Sequence, residues 1–215
     1  MEVKLPKGWH EVNVDTFLKY NTILTSKAVD PLDLEVNIIS CFSGLSVKEV
    51  ESLKTKQILK LAKSLEFLKK LPDTKVALSF KCKGKTYKAC LLMEDLTGGQ
   101  FMDFSNILKG TKPEDYVYRM TDLIGAMCIE REFGLFYDKG RVSIYRYKYQ
   151  GYAANSEVFK DLPISIAYPY YVFFCKVMGA SFPYIQDYLS KKLLKLTKKM
   201  NRDKKDSAST GATTP

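Results

Sequence analysis

Histidine occurs once in this chain, at His10, and cysteine five times, at Cys41, Cys82, Cys90, Cys128 and Cys175. A Ser-His or Cys-His nucleophile needs a histidine in reach, and zinc sites draw on closely spaced Cys and His. One histidine, an odd number of scattered cysteines and no Cys-x-x-Cys spacing supply neither arrangement, nor a disulfide framework. No catalytic residue, metal ligand or cofactor is therefore expected, and the chain reads as a non-enzyme. The acidic pairs Glu94-Asp95 and Glu130-Arg131-Glu132 are the remaining candidates for acid-base work or a divalent ion. No third ligand or Gly-rich turn accompanies them, so they read as solvated charges. Thr97-Gly98-Gly99-Gln100 offers backbone donors to an anion, yet without a Gly-x-Gly-x-x-Gly or Walker pattern a plain helix cap explains it. Cys90 is expected on the polar face of its strand with only lysines nearby, and reads as a structural thiol.

Binding chemistry is better represented. Tyr145-Arg146-Tyr147-Lys148-Tyr149-Gln150-Gly151-Tyr152 alternates ring and charge, which on a strand puts Tyr145, Tyr147 and Tyr149 on one face and Arg146 and Lys148 on the other. With Tyr152, these rings are candidate protein-contact residues. Stacking of unpaired bases is the second reading, and ordinary burial against the last helices the third. The second basic feature is C-terminal. Residues 191–206 hold eight basic residues against two acidic ones, +6 of the net +10, leaving about +4 for the other 199 residues. Within that segment Lys191, Lys195, Lys198, Lys199 and Arg202 lie largely off a leucine stripe. They are candidates for non-specific phosphate contact; an anionic membrane, a protein docked on the stripe and a solvated last helix are the alternatives.

The elements that must position these residues are legible from caps and periodicity. A short extended lead-in containing Trp9 is expected to dock on the core, with Asp15 capping a helix over residues 16–24. Asp30-Pro31 opens a second helix that Gly44 stops, Ser46 and Glu49 form a capping box, and Thr55 starts a helix ending before Pro72. From Val76 to Met93 the period becomes two around a Lys83-Gly84 turn, predicting a hairpin with Val76, Leu78, Phe80, Cys82, Tyr87, Ala89 and Leu91 on its buried face. Thr97 and Pro113 each begin a further helix. Residues 130–160 are least regular, with a turn at Asp138-Lys139-Gly140 and a strand over residues 141–149, a second short hairpin or arm. An aromatic helix over residues 164–178 follows, with a kink or late start at Pro169.

The expected class is α+β, mainly helical with a central β-hairpin. A globular domain over residues 1–190 is followed by the basic end of the last helix, 191–206, and a low-complexity tail, 207–215. The longest apolar stretch, Ile164 to Cys175, is too short to span a bilayer, and the N-terminus lacks the apolar core of a secretory signal. Synthesis in a cytoplasm is the expectation.

Leu5-Pro6-Lys7-Gly8-Trp9-His10-Glu11-Val12, a helix with Phe17 and Tyr20, and Leu96-Thr97-Gly98-Gly99-Gln100-Phe101-Met102-Asp103-Phe104 after a hairpin resemble small proteins of tailed bacteriophages, particularly crAss-like phages of gut Bacteroidota. The likeness covers about the first half of the chain. It implies a virion or tail-assembly component without enzymatic activity, made in the bacterial host cytoplasm and placed beside a portal or tail or inside the particle. Its partners would be other virion proteins and copies of itself, with non-specific DNA contact by the basic C-terminus. A non-specific nucleic-acid-binding protein and a transient tail-assembly chaperone are the rival readings.

Overall fold

The first helix, α1 (Val14–Thr25), is capped by Asn13, whose Oδ1 accepts from the Thr16 amide at 2.8 Å. Asp15, the expected cap, lies within the first turn and pairs with Lys19 at 2.7 Å. Asn13 takes the role because the chain before it is held extended: Asn13 bridges Pro163, the Val14 amide donates to the Leu162 carbonyl, and the Ile164 amide donates to that of Val12. The structure, a computed structural model, describes residues 3–26, 30–138 and 141–178.

Three helices follow, the first two with the caps expected of them; the third starts at Thr55 without a side-chain cap and ends at Ser64, short of Pro72. In α2 (Pro31–Ser43), Asp30 accepts from the Leu32 amide and Gly44 closes the end at φ 72°, a left-handed conformation that suits glycine. The short α3 (Val47–Glu51) carries the reciprocal Ser46–Glu49 box. After α4 (Thr55–Ser64) comes a 3-10 turn, Glu66–Lys69. Trp9 joins these pieces: its ring meets Phe17 at 5.8 Å and Phe67 at 5.2 Å between centroids, and its Nε1 donates to the Lys70 carbonyl at 2.7 Å. Such ring pairs add about 0.5–1.5 kcal/mol each beyond the area they bury.

The hairpin forms at the expected turn. β1 (Ser79–Cys82) and β2 (Lys85–Ala89) are joined by Lys83 at φ 47° and Gly84 at φ 76°, the two positive φ values that a tight hairpin turn requires. Phe80, Cys82, Tyr87 and Ala89 are buried as the alternation predicts. The strands are shorter than the periodic stretch, and the alternation lapses beyond their ends. Leu78 is 72% exposed, whereas Cys90, expected on the polar face, is buried with its amide bonded to the Met127 carbonyl.

The second hairpin is part of the same sheet. β3 (Cys128–Asp138) pairs with β2, and β4 (Arg141–Lys148) pairs with β3, giving an antiparallel order β1-β2-β3-β4. The remaining described α-helices are α5 (Gly98–Lys109), α6 (Met120–Met127), α7 (Tyr152–Phe159) and α8 (Ile164–Phe173). A 3-10 stretch, Pro113–Arg119, leads into α6, and α8 starts at Ile164 and runs through Pro169. The fold is α+β and mainly helical.

The sheet's inner face packs Phe80 and Tyr87 against Phe159 of α7 and Tyr170 of α8, with ring centroids 4.8–5.5 Å apart across the layers. Every residue of α6 except Asp122 is buried. The helix approaches α7 closely enough that a Cβ on Gly125 would lie 2.8 Å from the Tyr152 carbonyl oxygen. Ser156 of α7 locks the pair, its Oγ donating to Asp122 Oδ1 at 2.6 Å. The chain divides into two units, Met1–Val172 and Phe173–Pro215, and in the second the described residues after Phe173 form a single π-helical turn, Phe174–Met178.

Candidate functional site

The register of the sheet sorts its side chains into two chemically different faces. Directly paired residues share a face. Phe80, Tyr87 and Glu130 therefore point inward, while Lys81, Thr86, Arg131 and Tyr147 form one row across all four strands on the outward side. Ser79, Lys88 and Ile129 make the adjacent row, and Phe133 continues the outward set along β3. Lys81, Lys88, Phe133 and Tyr147 are exposed, and Arg131 is half-buried. From β1 to Phe133 the strands place no carboxylate on this side.

The acids lie on the other side and are matched there. Glu130, buried, accepts from Lys85 Nζ at 2.9 Å and Gln150 Nε2 at 3.1 Å. Glu132 pairs with Arg146 at 2.7 Å and Lys148 at 3.7 Å, and the Arg146 bond holds its carboxyl below the usual range. Both carboxylates are thus held by cationic or amide partners. On the outward face, cations sit on rings instead: Lys88 Nζ is 5.3 Å from the Tyr147 centroid and Arg131 Cζ 4.6 Å from that of Phe133.

Beyond this platform the sheet narrows to an arm. β2 pairs with β3 only over Cys128–Arg131, so β3 from Glu132 onward has β4 as its one described partner, and β4 is an edge strand. A register shift between Phe133 and Phe136 places a bulge in the arm. Phe133, Leu135, Val142 and Ile144 are 59–70% exposed there. Exposed apolar side chains on a ribbon that pairs with no further strand among the described residues are features of a protein-contact surface.

The four tyrosines singled out by the sequence fall into different surroundings. Tyr147 is outward and 41% exposed. Tyr149 is half-buried, its hydroxyl donating to Asp103 Oδ2 of α5 at 2.5 Å, and burial first and this carboxylate second raise its pKa. Tyr152 opens α7, its amide donating to the same oxygen at 3.2 Å. The backbone of Tyr145 lies opposite Phe133. Sequence reasoning missed Arg131 and Phe133, because a strand register brings them beside Tyr147. It also missed Lys81 and Lys88 as site residues, although both alternate with the residues expected on the buried face.

Among the described residues no group of His, Cys, Asp and Glu is arranged to hold a metal ion, and no helix is long and apolar enough to cross a membrane. His10 is exposed beside Glu11. Thr97 caps α5 reciprocally with Gln100, whose Nε2 donates to the Ala126 carbonyl at 2.9 Å, so this segment carries a helix junction. Burial raises the pKa of the Cys90 thiol, as expected of a structural cysteine. Lys191, Lys195, Lys198, Lys199 and Arg202, and the proposed boundaries at 190 and 206, lie outside the described residues. No family model, curated protein or solved structure matches the chain.

Proposed function

We propose that this protein is a non-catalytic structural component of a tailed-phage particle that docks on neighbouring particle proteins through its β3–β4 arm. The observation that carries the reading is the combination, on one two-stranded ribbon, of exposed Leu135, Val142 and Ile144 and of strand edges on which no further described strand pairs. A partner that adds a strand to either edge satisfies the backbone donors and acceptors and covers the apolar side chains in the same step. Placement in a phage particle, close to the portal or tail, rests on the resemblance of the first half of the chain and is part of the proposal.

The test is a double variant, Leu135→Asp with Ile144→Asp, supplied in place of the wild-type protein during particle production. Both positions are exposed, so the variant keeps its fold, read by circular dichroism, and its recovery in purified particles falls at least tenfold. Recovery equal to wild type would remove the arm from the assembly contact. Absence of the wild-type protein from finished particles, with binding to immature ones, would instead select the transient chaperone reading.

A further inference from the structure

We propose that the outward face of the sheet binds single-stranded nucleic acid, a second activity separate from docking by the arm. Lys81 and Lys88 supply the charges for backbone phosphates, and Phe133 and Tyr147 supply surfaces for unstacked bases. The row from Lys81 through Thr86 and Arg131 to Tyr147 crosses three strand gaps, about 14 Å. That is room for a short run of nucleotides across the strands rather than a single anion.

Charge separation through the sheet argues for a polyanion. Glu130 and Glu132 are turned to the opposite side and matched by Lys85, Arg146 and Lys148, leaving the outward strand positions up to Phe133 with cations and no carboxylate. A protein partner of ordinary mixed charge has no such one-sided match. The rings decide between strand types. Bases within a duplex are stacked on one another and offer no face to an aromatic side chain, whereas unpaired bases do. Stacking is tolerant of base identity, so the face binds without sequence specificity. Lys88 and Arg131 lie over the Tyr147 and Phe133 rings, so the positive charge that would meet the phosphates stands at the stacking surfaces themselves.

The experiment uses the full chain and a fluorescently labelled twenty-nucleotide oligothymidylate, with the oligothymidylate–oligoadenylate duplex for comparison, read by fluorescence anisotropy. Phe133→Ala with Tyr147→Ala weakens single-strand binding at least about fivefold per ring and leaves duplex binding within about twofold. Lys81→Gln with Lys88→Gln lowers the slope of log affinity against log salt by about 1.4. This pair is exposed and carries the test if the ring variant fails to fold. Lys198→Gln with Lys199→Gln controls for the basic C-terminal segment. Wild-type affinity in both sheet-face variants, binding abolished by the C-terminal variant alone, or no binding by the wild-type chain would each overturn the proposal. Leu135→Asp with Ile144→Asp retains oligonucleotide binding, which separates failure here from failure of the arm reading.

Discussion

The hydroxyl of Tyr149 donates to Asp103 Oδ2 at 2.5 Å, and the same oxygen takes the amide of Tyr152 at 3.2 Å. One carboxylate on α5 thus fixes the exit of β4 and the entry to α7. Asp103→Ala is expected to lower stability by about 2 kcal/mol, since bonds to a charged acceptor are worth more than neutral ones. Tyr149→Phe loses less, because the Tyr152 bond remains. Urea unfolding of both variants checks the order; equal stability of Asp103→Ala and wild type would remove the carboxylate as an anchor.

Alkali should loosen the fold from within. Burial pushes the Tyr87 phenol up to about 12, with the charge of Glu130 a smaller cause, and also raises Tyr149 and Tyr170. An unfolded tyrosine ionises near pH 10, so above that pH the unfolded chain releases protons that the folded chain retains. The stabilisation is complete below about pH 10 and is lost between about pH 10 and 12 for Tyr87. Buried thiols at Cys82, Cys90 and Cys128, raised for the same reason, begin the decline near pH 9. Urea midpoints measured from pH 7 to 12 should be flat and then fall, with a shallower fall above pH 10 in Tyr87→Phe.

Gly125 lies where α6 meets the backbone of α7. A methyl there would stand 2.8 Å from the Tyr152 carbonyl oxygen and 3.3 Å from its Cα, and neither atom is the end of a flexible side chain. Gly125→Ala is expected to destabilise by about 1–3 kcal/mol despite the better helix propensity of alanine. A variant as stable as wild type in thermal unfolding would mean that the two helices separate at little cost.

The Lys83-Gly84 turn gives a graded test. Gly84 has open space around it but φ +76°, so the penalty for a side chain is conformational. Gly84→Ala is expected to cost about 1–2 kcal/mol and Gly84→Asn less, because asparagine visits the left-handed region more readily. Calorimetry of the pair checks this, and a reversed order would count against the turn geometry.

Local signals in the sequence were legible where their partners were close along the chain. Asp30-Pro31, Ser46 with Glu49, Thr97 with Gln100, and Lys83-Gly84 each act within a few residues, and each appears at its expected place. The cap at Asn13 was not legible, since Leu162, Pro163 and Ile164 hold the preceding chain extended. Helix α7 follows Gly151 without a side-chain cap and buries Asn155 and Ser156, so it lacks both a start signal and an apolar stripe. Tyr149 looked like its neighbour Tyr147 because its partner Asp103 stands 46 residues away. The outward cationic face depends on pairing Thr86 with Arg131 and Arg131 with Tyr147, and alternation within one strand cannot supply that register.

The bridge between the lead-in and the chain before α8 has a consequence for how this protein is made. Val12 and Val14 exchange backbone bonds with Ile164 and Leu162, and Trp9 accepts from Ser165. At ribosomal speeds of about 5–20 residues per second, Val12 is added roughly 8–30 s before Ile164. The N-terminal helices therefore spend most of translation without the segment that seats their extended lead-in. Completion of this unit is a late event in the life of the nascent chain, and a ribosome stalled before residue 160 would release a product unable to close.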